Sequence, residues 1–151
     1  MRARDLAVEY PSVTLDTPAL HAAQVLAASD LPGLIVTTGQ MRNPVLVLPG
    51  TQVLRMAVPR YCQDDPALAA VVDEAAADVF ARELEGRTVR ECLTEQPPEP
   101  PVVNGGATAL EIAALMARTR SPLVAVIGDD GALIGVITLH GLLDRILGDS
   151  A

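Results

Sequence analysis

The chain has 151 residues, a length that fits one domain of ordinary size or two very small units sharing one core. Half of the residues are hydrophobic but only 2% are aromatic, so the core must be built mainly from Val, Leu, Ile and Ala. The net charge of −8 argues against a nucleic-acid partner, because little in such an acidic chain would release counterions from a phosphate backbone.

The cysteines and the apolar runs indicate the compartment. Cys62 and Cys92 lack the spacing of a metal or redox site, which predicts two reduced and partly buried thiols. The first ten residues are charged and contain no apolar core of a signal peptide. No apolar run reaches the roughly 18 residues that span a bilayer, since Asp129 and Asp130 interrupt the longest candidate. We therefore expect a cytoplasmic protein with no direct membrane insertion.

The first third of the chain predicts six short elements. Its helix carries apolar residues at helical spacing, and its strands are rich in Val, Ile and Leu. In chain order, we expect a helical turn at 2–6, a strand at 12–15, a helix from about 19, strands at 33–37 and 45–48, and a closing helix.

Residues 63–86 predict one amphipathic helix. Asp64 or Asp65 suits the N-cap, Pro66 the first helical position and Gly86 the stop. Its apolar stripe either packs over the core as a connector or forms a dimer or partner surface. The stripe consists of Leu68, Val71, Val72, Ala75, Val79 and Phe80. Capping and a solvated face explain the acidic residues here better than a metal site or an acid–base pair.

The rest of the chain repeats the first part. Residues 109–126 can be laid over 19–36 without a gap, and a proline follows each helix at the same place, Pro32 and Pro122. Downstream, residues 44–56 match 135–147 in an alignment that pairs Gly50 with Gly141. The second set of strands is expected at 101–104, 123–127 and 133–137, and the sequence Asp129-Asp130-Gly131 predicts a hairpin turn.

Neither repeat is long enough to bury its own sheet, so the two should pack together. The predicted fold class is α/β (α+β in the stricter sense). We expect two pseudo-symmetric β-α-β-β-α units packed through their sheets, with an extra helix between the repeats. Unit 1 is assigned to residues 1–56, the helical connector to 57–87 and unit 2 to 88–151.

The repeated β-α-β-β-α unit resembles a tandem pair of CBS (cystathionine beta-synthase) domains, also called a Bateman module. In unit 2, "SPLVAVIGDDGALIGVITLHGLLDRIL" fits the family pattern closely. In unit 1 the pattern is degenerate, since Pro44 replaces the expected glycine and Val47 the expected threonine. The resemblance implies a regulatory module that binds an adenosine compound such as AMP, ADP or ATP in the cleft between the units.

The resemblance also implies which residues form the ligand site. Thr138 matches the family threonine, which can meet a phosphate together with the amides of a helix N-terminus. Gly141 stands where the ribose-binding carboxylate is expected, and Gly50 is its counterpart in unit 1. That loss removes charge-assisted hydrogen bonds worth about 1.5–3 kcal/mol. The implied ligand-binding set is Val102, Val103, Ser121, Pro122, Leu123, Thr138, His140 and Gly141.

Three basic side chains near this site leave two interpretations open. Arg118 and Arg120 either form a solvated helix end or meet a phosphate at the mouth of the cleft. His140 is either a solvated or capping residue at a helix start or a donor to a phosphate.

Three classes of function follow. The preferred one is an adenosine-sensing module that needs no cofactor, forms a homodimer and regulates a partner such as an enzyme or a transporter. The alternative is a degenerate pair without a nucleotide ligand, working as a protein–protein interaction or dimerisation scaffold. The third class is an enzyme, for which the sequence offers no nucleophile–base set, metal cluster or Gly-rich phosphate loop. We therefore expect no catalytic and no metal-ligating residues.

Overall fold

The computed structural model describes residues 1–40, 44–71, 75–93 and 99–148. The helices are α1 (Ala3–Leu6), α2 (Ala19–Ala28), α3 (Gly50–Ala57), α4 (Arg60–Asp64), α5 (Pro66–Val71), α6 (Ala76–Leu84), α7 (Val89–Cys92), α8 (Ala109–Thr119) and α9 (Leu139–Leu147). The strands are β1 (Ser12–Thr14), β2 (Gly33–Thr37), β3 (Val45–Pro49), β4 (Val102–Asn104), β5 (Leu123–Ile127) and β6 (Leu133–Thr138).

The six strands form two three-stranded sheets with the same topology, in the orders β1-β2-β3 and β4-β5-β6. In each sheet the first strand runs parallel to the central one, and the third is antiparallel to it. A helix, α2 or α8, links each parallel pair, as a parallel connection requires. The α/β class and the pseudo-symmetric pair of β-α-β-β-α units are therefore confirmed.

The two sheets bury each other. The central strands β2 and β5 are almost entirely buried, which explains why their sequences are continuous apolar runs without alternation. A hydrophobic cluster joins them and consists of Ile35, Val45 and Val47 from the first sheet and Leu123, Ala125 and Val136 from the second. The prediction that the units pack through their sheets is confirmed.

The two short helical turns are exchanged between the units. In α1, Ala3 N donates to Ala107 O at 2.8 Å, and both Ala3 and Leu6 join the core of unit 2. In α7, Val89 N donates to Thr17 O at 2.9 Å, and Val89 joins the core of unit 1. Each core is thus completed by the segment that precedes the other unit in the chain.

This exchange bears on the boundaries assigned from the sequence. The division into residues 1–56, 57–87 and 88–151 stays a prediction. The α1 turn lies in the first of these ranges but packs on residues of the third, so the units are not separate in space along those lines.

The connector differs from the single helix expected over 63–86. The described residues form α5 and α6, and Ala75 lies between them in an extended conformation at φ −62° and ψ 134°. An extended residue cannot continue a helix, so the prediction of one unbroken helix is wrong. Pro66 does begin α5, and Gly86 follows α6 with φ +75°, a left-handed conformation that favours glycine. Val72 lies outside the described residues.

Helix α6 packs on unit 1. It contacts α2 and α3, where Phe80 and Leu84 join the unit 1 core and Leu84 is only 1% exposed. The interpretation of this stripe as a core cover therefore holds for α6. The shorter α5 instead leaves Leu68 and Val71 exposed.

Candidate functional site

Thr138 lies at the corner where β6 ends and α9 begins. Its Oγ1 accepts a hydrogen bond from Gly141 N at 2.9 Å, so the hydroxyl caps the helix. Within the sheet Thr138 pairs with the fully buried Leu123. A Cβ atom added at Gly141 would lie 3.0 Å from Thr138 Oγ1, which shows how tightly this capped turn is closed.

The start of β5 lies at the same corner. Leu139 N donates to Pro122 O at 2.9 Å, which ties the start of α9 to the residues that precede β5. Ser121 Oγ donates to Leu123 O at 2.7 Å, so that hydroxyl is used within its own turn. His140 is exposed at the start of α9. The corner therefore brings Ser121, Pro122, Leu123, Thr138, His140 and Gly141 together.

The equivalent corner of unit 1 corrects the sequence alignment. Gly50 N donates to Pro32 O at 2.9 Å, the same bond that Leu139 N makes to Pro122 O. Gly50 is therefore the counterpart of Leu139, and its pairing with Gly141 was wrong. The residue equivalent to Gly141 is Gln52, which offers an amide where the sequence indicated no side chain at all.

Val102 and Val103 lie elsewhere, in a groove along β4. One cavity of about 450 Å³ is lined by Pro44, Val102, Val103, Asn104, Ala107, Glu111, Ile127 and Gly128. A second cavity of about 310 Å³ is lined by Glu99, Val102, Val103, Glu111, Ala114, Leu115 and Arg118. Both cavities are lined by the two valines and Glu111, and the two neighbouring cavities are here called the β4 groove. Pro44 belongs to unit 1 and the other lining residues to the second half of the chain.

A carboxylate and an ion pair supply the polar groups of the β4 groove. Glu111 lies in the first turn of α8, where its Oε1 accepts a hydrogen bond from Thr108 Oγ1 at 3.2 Å. At the other end of α8, Arg118 donates to both carboxylate oxygens of Glu99, at 2.6 and 2.8 Å. This bidentate bond lowers the pKa of Glu99 and raises that of Arg118. Arg118 is thus held by an acidic partner, whereas Arg120 ends the helix in a left-handed conformation.

The implied site residues therefore fall into two groups. Val102 and Val103 line the β4 groove, while the other six form the corner between β5 and α9 and line neither of its cavities. Glu111 was missed by sequence reasoning. The sequence does place Thr108 and Glu111 three residues apart before an apolar run. This pattern predicts a capping box, but it does not indicate that a cavity lies beside the helix.

A further cleft, here called the β1 cleft, lies near β1, where the pseudo-symmetry of the two units places the counterpart of the β4 groove. It has a volume of about 500 Å³ and is lined by Glu9, Tyr10, Pro11, Leu133, Ile134 and Gly135, so it too joins the two halves of the chain. Tyr10 donates from its hydroxyl to Gly33 O at 2.6 Å. Burial raises the pKa of Tyr10 to about 12.

The described residues contain neither a cluster of candidate metal ligands nor a membrane-spanning helix. No group of three or more His, Cys, Asp or Glu side chains is placed there to hold a metal ion. No helix among these ranges is long and apolar enough to span a membrane.

Comparison with known proteins assigns the family. The CBS domain model matches residues 89–148. No curated protein matches the chain. Among solved structures, a CBS domain-containing protein of unknown function from Kribbella flavida is 48% identical, with a TM-score of 0.83, and the match covers 97% of this chain and 99% of that one.

More distant structures share the fold. CBSX2 in complex with AMP is 19% identical, with a TM-score of 0.67 and coverage of 99% and 98% of the two chains. The CBS domain of a bacterial CNNM/CorC family Mg²⁺ transporter in complex with ATP is 15% identical, with a TM-score of 0.65 and coverage of 98% and 88%. The 48% identity over nearly the full length, together with the two repeated units, shows that this chain belongs to the CBS domain family as a tandem pair.

Proposed function

We propose that this CBS pair is a regulatory module that binds an adenosine-type ligand in the β4 groove and acts on a partner protein. The observation that carries the proposal is that the groove joins Pro44 of unit 1 to Val102 and Val103 of unit 2. A ligand held there would contact both units and bias their relative packing. Such differential contact is what a ligand needs to shift a conformational equilibrium.

The base and the ribose have suitable surroundings in this groove. Pro44, Val103 and Ile127 offer apolar surface against which a base can pack. Glu111 offers a carboxylate that can accept from ribose hydroxyls, although it comes from α8 and not from the closing helix. The missing acidic side chain at Gly141 is therefore compensated from another element.

The phosphate would lie toward the other end of α8. Glu111 and Arg118 are seven residues apart, about 10 Å along the helix axis. Arg118 lines the second cavity of the groove, and its guanidinium fork suits a phosphate. In the free protein Glu99 occupies that fork, so an anionic ligand must compete with it.

The structural neighbours support the class of ligand and the kind of partner. The structures of CBSX2 with AMP and of the Mg²⁺ transporter domain with ATP hold adenine nucleotides on this fold. A CBS domain within a transporter supports a regulated transporter, or an enzyme, as the partner of this chain. We place the module in the cytoplasm, where adenine nucleotides and such partners are accessible. No catalytic role is proposed.

Ligand binding is tested by thermal unfolding of the full chain with AMP, ADP, ATP, NADH or S-adenosylmethionine at millimolar concentration. A ligand that binds only the folded state raises the melting temperature. Glu111→Gln keeps the capping acceptor but removes the charge, and it should reduce the shift. Glu85→Gln, on an exposed residue at the end of α6, is the matched control. No shift with any of the five compounds would refute the sensor proposal.

A second candidate function, a dimerisation scaffold, is favoured by the outer surface of α9. Leu139, Leu143, Ile146 and Leu147 recur at helical spacing and are 42–61% exposed. We propose that a second copy of the chain covers this stripe. Light scattering at tens of micromolar should give the mass of a dimer, Leu143→Glu should give a monomer, and Leu68→Glu on the exposed α5 should leave the dimer intact. A monomeric wild type would refute the proposal.

A further inference from the structure

Another cavity lies outside both the β4 groove and the β1 cleft, beside the connector. It has a volume of about 670 Å³ and is here called the connector pocket. Its lining residues are Gln52, Arg55, Met56, Val58, Arg60, Gln63, Asp64, Glu83, Arg87, Glu91 and Cys92. A volume of this size is in the range of small-molecule sites, which are about 300–1,000 Å³.

Hydrogen bonds hold one wall of the connector pocket in place. Gln63 Nε2 donates to Arg55 O at 2.9 Å and to Val58 O at 2.7 Å, so the α4 turn is fixed against the end of α3. The floor is apolar, because Cys92 is 1% exposed and its Sγ lies 3.6 Å from Met56 Sδ. Four elements, α3, α4, α6 and α7, therefore build the pocket before any ligand binds.

Two arginines supply the pocket with available guanidinium groups. The side chains of Arg60 and Arg87 make no hydrogen bond or ion pair with the part of the chain that the structure describes. This contrasts with Arg118, whose guanidinium Glu99 occupies. A chain of net charge −8 repels anions in general, but two such arginines around one cavity can attract an anion locally.

The acidic lining residues narrow the class of ligand. Asp64, Glu83 and Glu91 line the same pocket as Arg55, Arg60 and Arg87, so the formal charges balance and a ligand with several negative groups would be repelled. Carboxylates accept hydrogen bonds from hydroxyl groups, whereas arginines bind phosphate oxygens in a bidentate manner. A compound with one phosphate and several hydroxyls satisfies both sets.

We propose that the connector pocket binds a phosphorylated sugar, with the phosphate on Arg60 and Arg87 and the hydroxyls on the carboxylates. This site is independent of the β4 groove and does not depend on adenosine binding there. Because the pocket is formed by α3, α4, α6 and α7, a bound sugar phosphate would fix the connector against unit 1.

Isothermal titration calorimetry of the full chain with ribose 5-phosphate tests this proposal. Saturable binding to the wild type is expected, with affinity at least tenfold weaker in Arg60→Gln and in Arg87→Gln, since each removes a charge-assisted contact to phosphate. Arg90→Gln is the matched control, because Arg90 is an exposed arginine three residues from Arg87 that pairs with Asp16 and does not line the pocket. Its affinity should equal that of the wild type.

Two further titrations, with ribose and with inorganic phosphate, measure what the sugar and the phosphate each contribute to binding. Ribose should bind too weakly to measure, and inorganic phosphate should bind more weakly than ribose 5-phosphate but with the same sensitivity to Arg60→Gln. Absence of saturable binding of ribose 5-phosphate, or equal binding by Arg60→Gln, Arg87→Gln and the wild type, would overturn the proposal. Glu111→Gln should leave ribose 5-phosphate binding unchanged, so a failure here and a failure in the β4 groove are distinguished.

Discussion

The two units of this CBS pair share one topology but differ in what covers their outer helices. In unit 1, α6 packs across α2 and α3 and buries Leu84. In unit 2, the outer side of α9 exposes four large apolar side chains, among them Leu147 at 61%. The repeat therefore predicts the sheets and the order of the helices, but it does not predict which surfaces remain available for binding.

Because of this difference, unit 1 and unit 2 offer different kinds of surface for binding. Unit 1 has its apolar cover within the chain, and the connector that supplies α6 also encloses a polar pocket. Unit 2 keeps an apolar surface that a second copy can cover and a groove with a carboxylate and an arginine. The two pseudo-symmetric units thus present different surfaces without a change in backbone topology.

The largest expected effect comes from removing the cover of unit 1. Leu84→Ala deletes buried methyl groups and leaves a cavity, so the free energy of unfolding should fall by about 2–5 kcal/mol. The same change at the exposed Leu147 should alter it by less than about 0.5 kcal/mol in the monomer. Urea denaturation at low protein concentration measures both. Similar losses at the two positions would mean that α9 is as well covered as α3.

The next largest loss of stability is expected where the N-terminal segment lies close to β6. A Cβ atom at Gly135 would lie 2.9 Å from Val8 O, next to the backbone bonds of 3.0 and 2.9 Å between Val8 and Val136. Gly135→Ala should therefore force these segments apart at a cost of about 1–3 kcal/mol. Gly105→Ala meets only ordinary contacts and is the control. Thermal unfolding that cannot distinguish the two variants would contradict this account of the exchanged turn.

The sequence predicts the central strands well, for a physical reason. The strands expected at 33–37 and 123–127 agree with β2 and β5 residue by residue, because both are buried on two sides and consist of continuous apolar runs. The turn at Asp129-Asp130-Gly131 is confirmed as well, with Gly131 at φ +82°. Strong local signals of this kind do not depend on the rest of the fold.

The corner of unit 1 and the exchanged turns could not be predicted in the same way. The two hairpins differ in length, since Val36 pairs with Leu46 but Val126 pairs with Gly135, so the alignment that paired Gly50 with Gly141 failed. Likewise, the four residues of α1 carry no local information on which unit they will contact. The position of Glu111 in the lining of the β4 groove depends on the placement of α8 next to β4, which is a tertiary arrangement.

A smaller effect on stability is expected from a hydrogen bond that the β1 cleft contains and the β4 groove lacks. Tyr10 donates to Gly33 O at 2.6 Å, whereas position 100, its equivalent in unit 2, is a proline without a hydroxyl. Tyr10→Phe should lower the free energy of unfolding by about 1 kcal/mol near pH 7. Tyr61→Phe, at a half-exposed position, is the control.

The raised pKa of Tyr10 adds a dependence on pH. Since its folded value of about 12 exceeds the ordinary value near 10, the neutral phenol favours the folded state below pH 10. That stabilisation should be lost as the pH rises from 10 to 12, and Tyr10→Phe should lose less stability over the same interval. Urea titrations at pH 9 and 11 measure this difference. A wild type and variant with parallel pH dependence would contradict it.

The smallest effect concerns the ion pair that only the unit 2 groove contains. The equivalents of Glu99 and Arg118 in unit 1, ninety residues earlier, are Glu9 and Ala28, so the β1 cleft has the acid without the arginine. Glu99→Gln removes the charge that competes for the guanidinium. Because the pKa of Glu99 is lowered by Arg118, that competing charge is present throughout the neutral pH range.

If the β4 groove binds AMP with its phosphate at Arg118, Glu99→Gln should tighten AMP binding by about two- to fivefold, the scale of an exposed ion pair. Glu9→Gln should leave the affinity unchanged. In the double variant Glu99→Gln, Arg118→Gln the gain should disappear, because the guanidinium that Glu99 had held is no longer there to meet the phosphate. Calorimetric titration with AMP measures all three, and equal affinities for the wild type and Glu99→Gln would mean that the phosphate does not reach this end of α8.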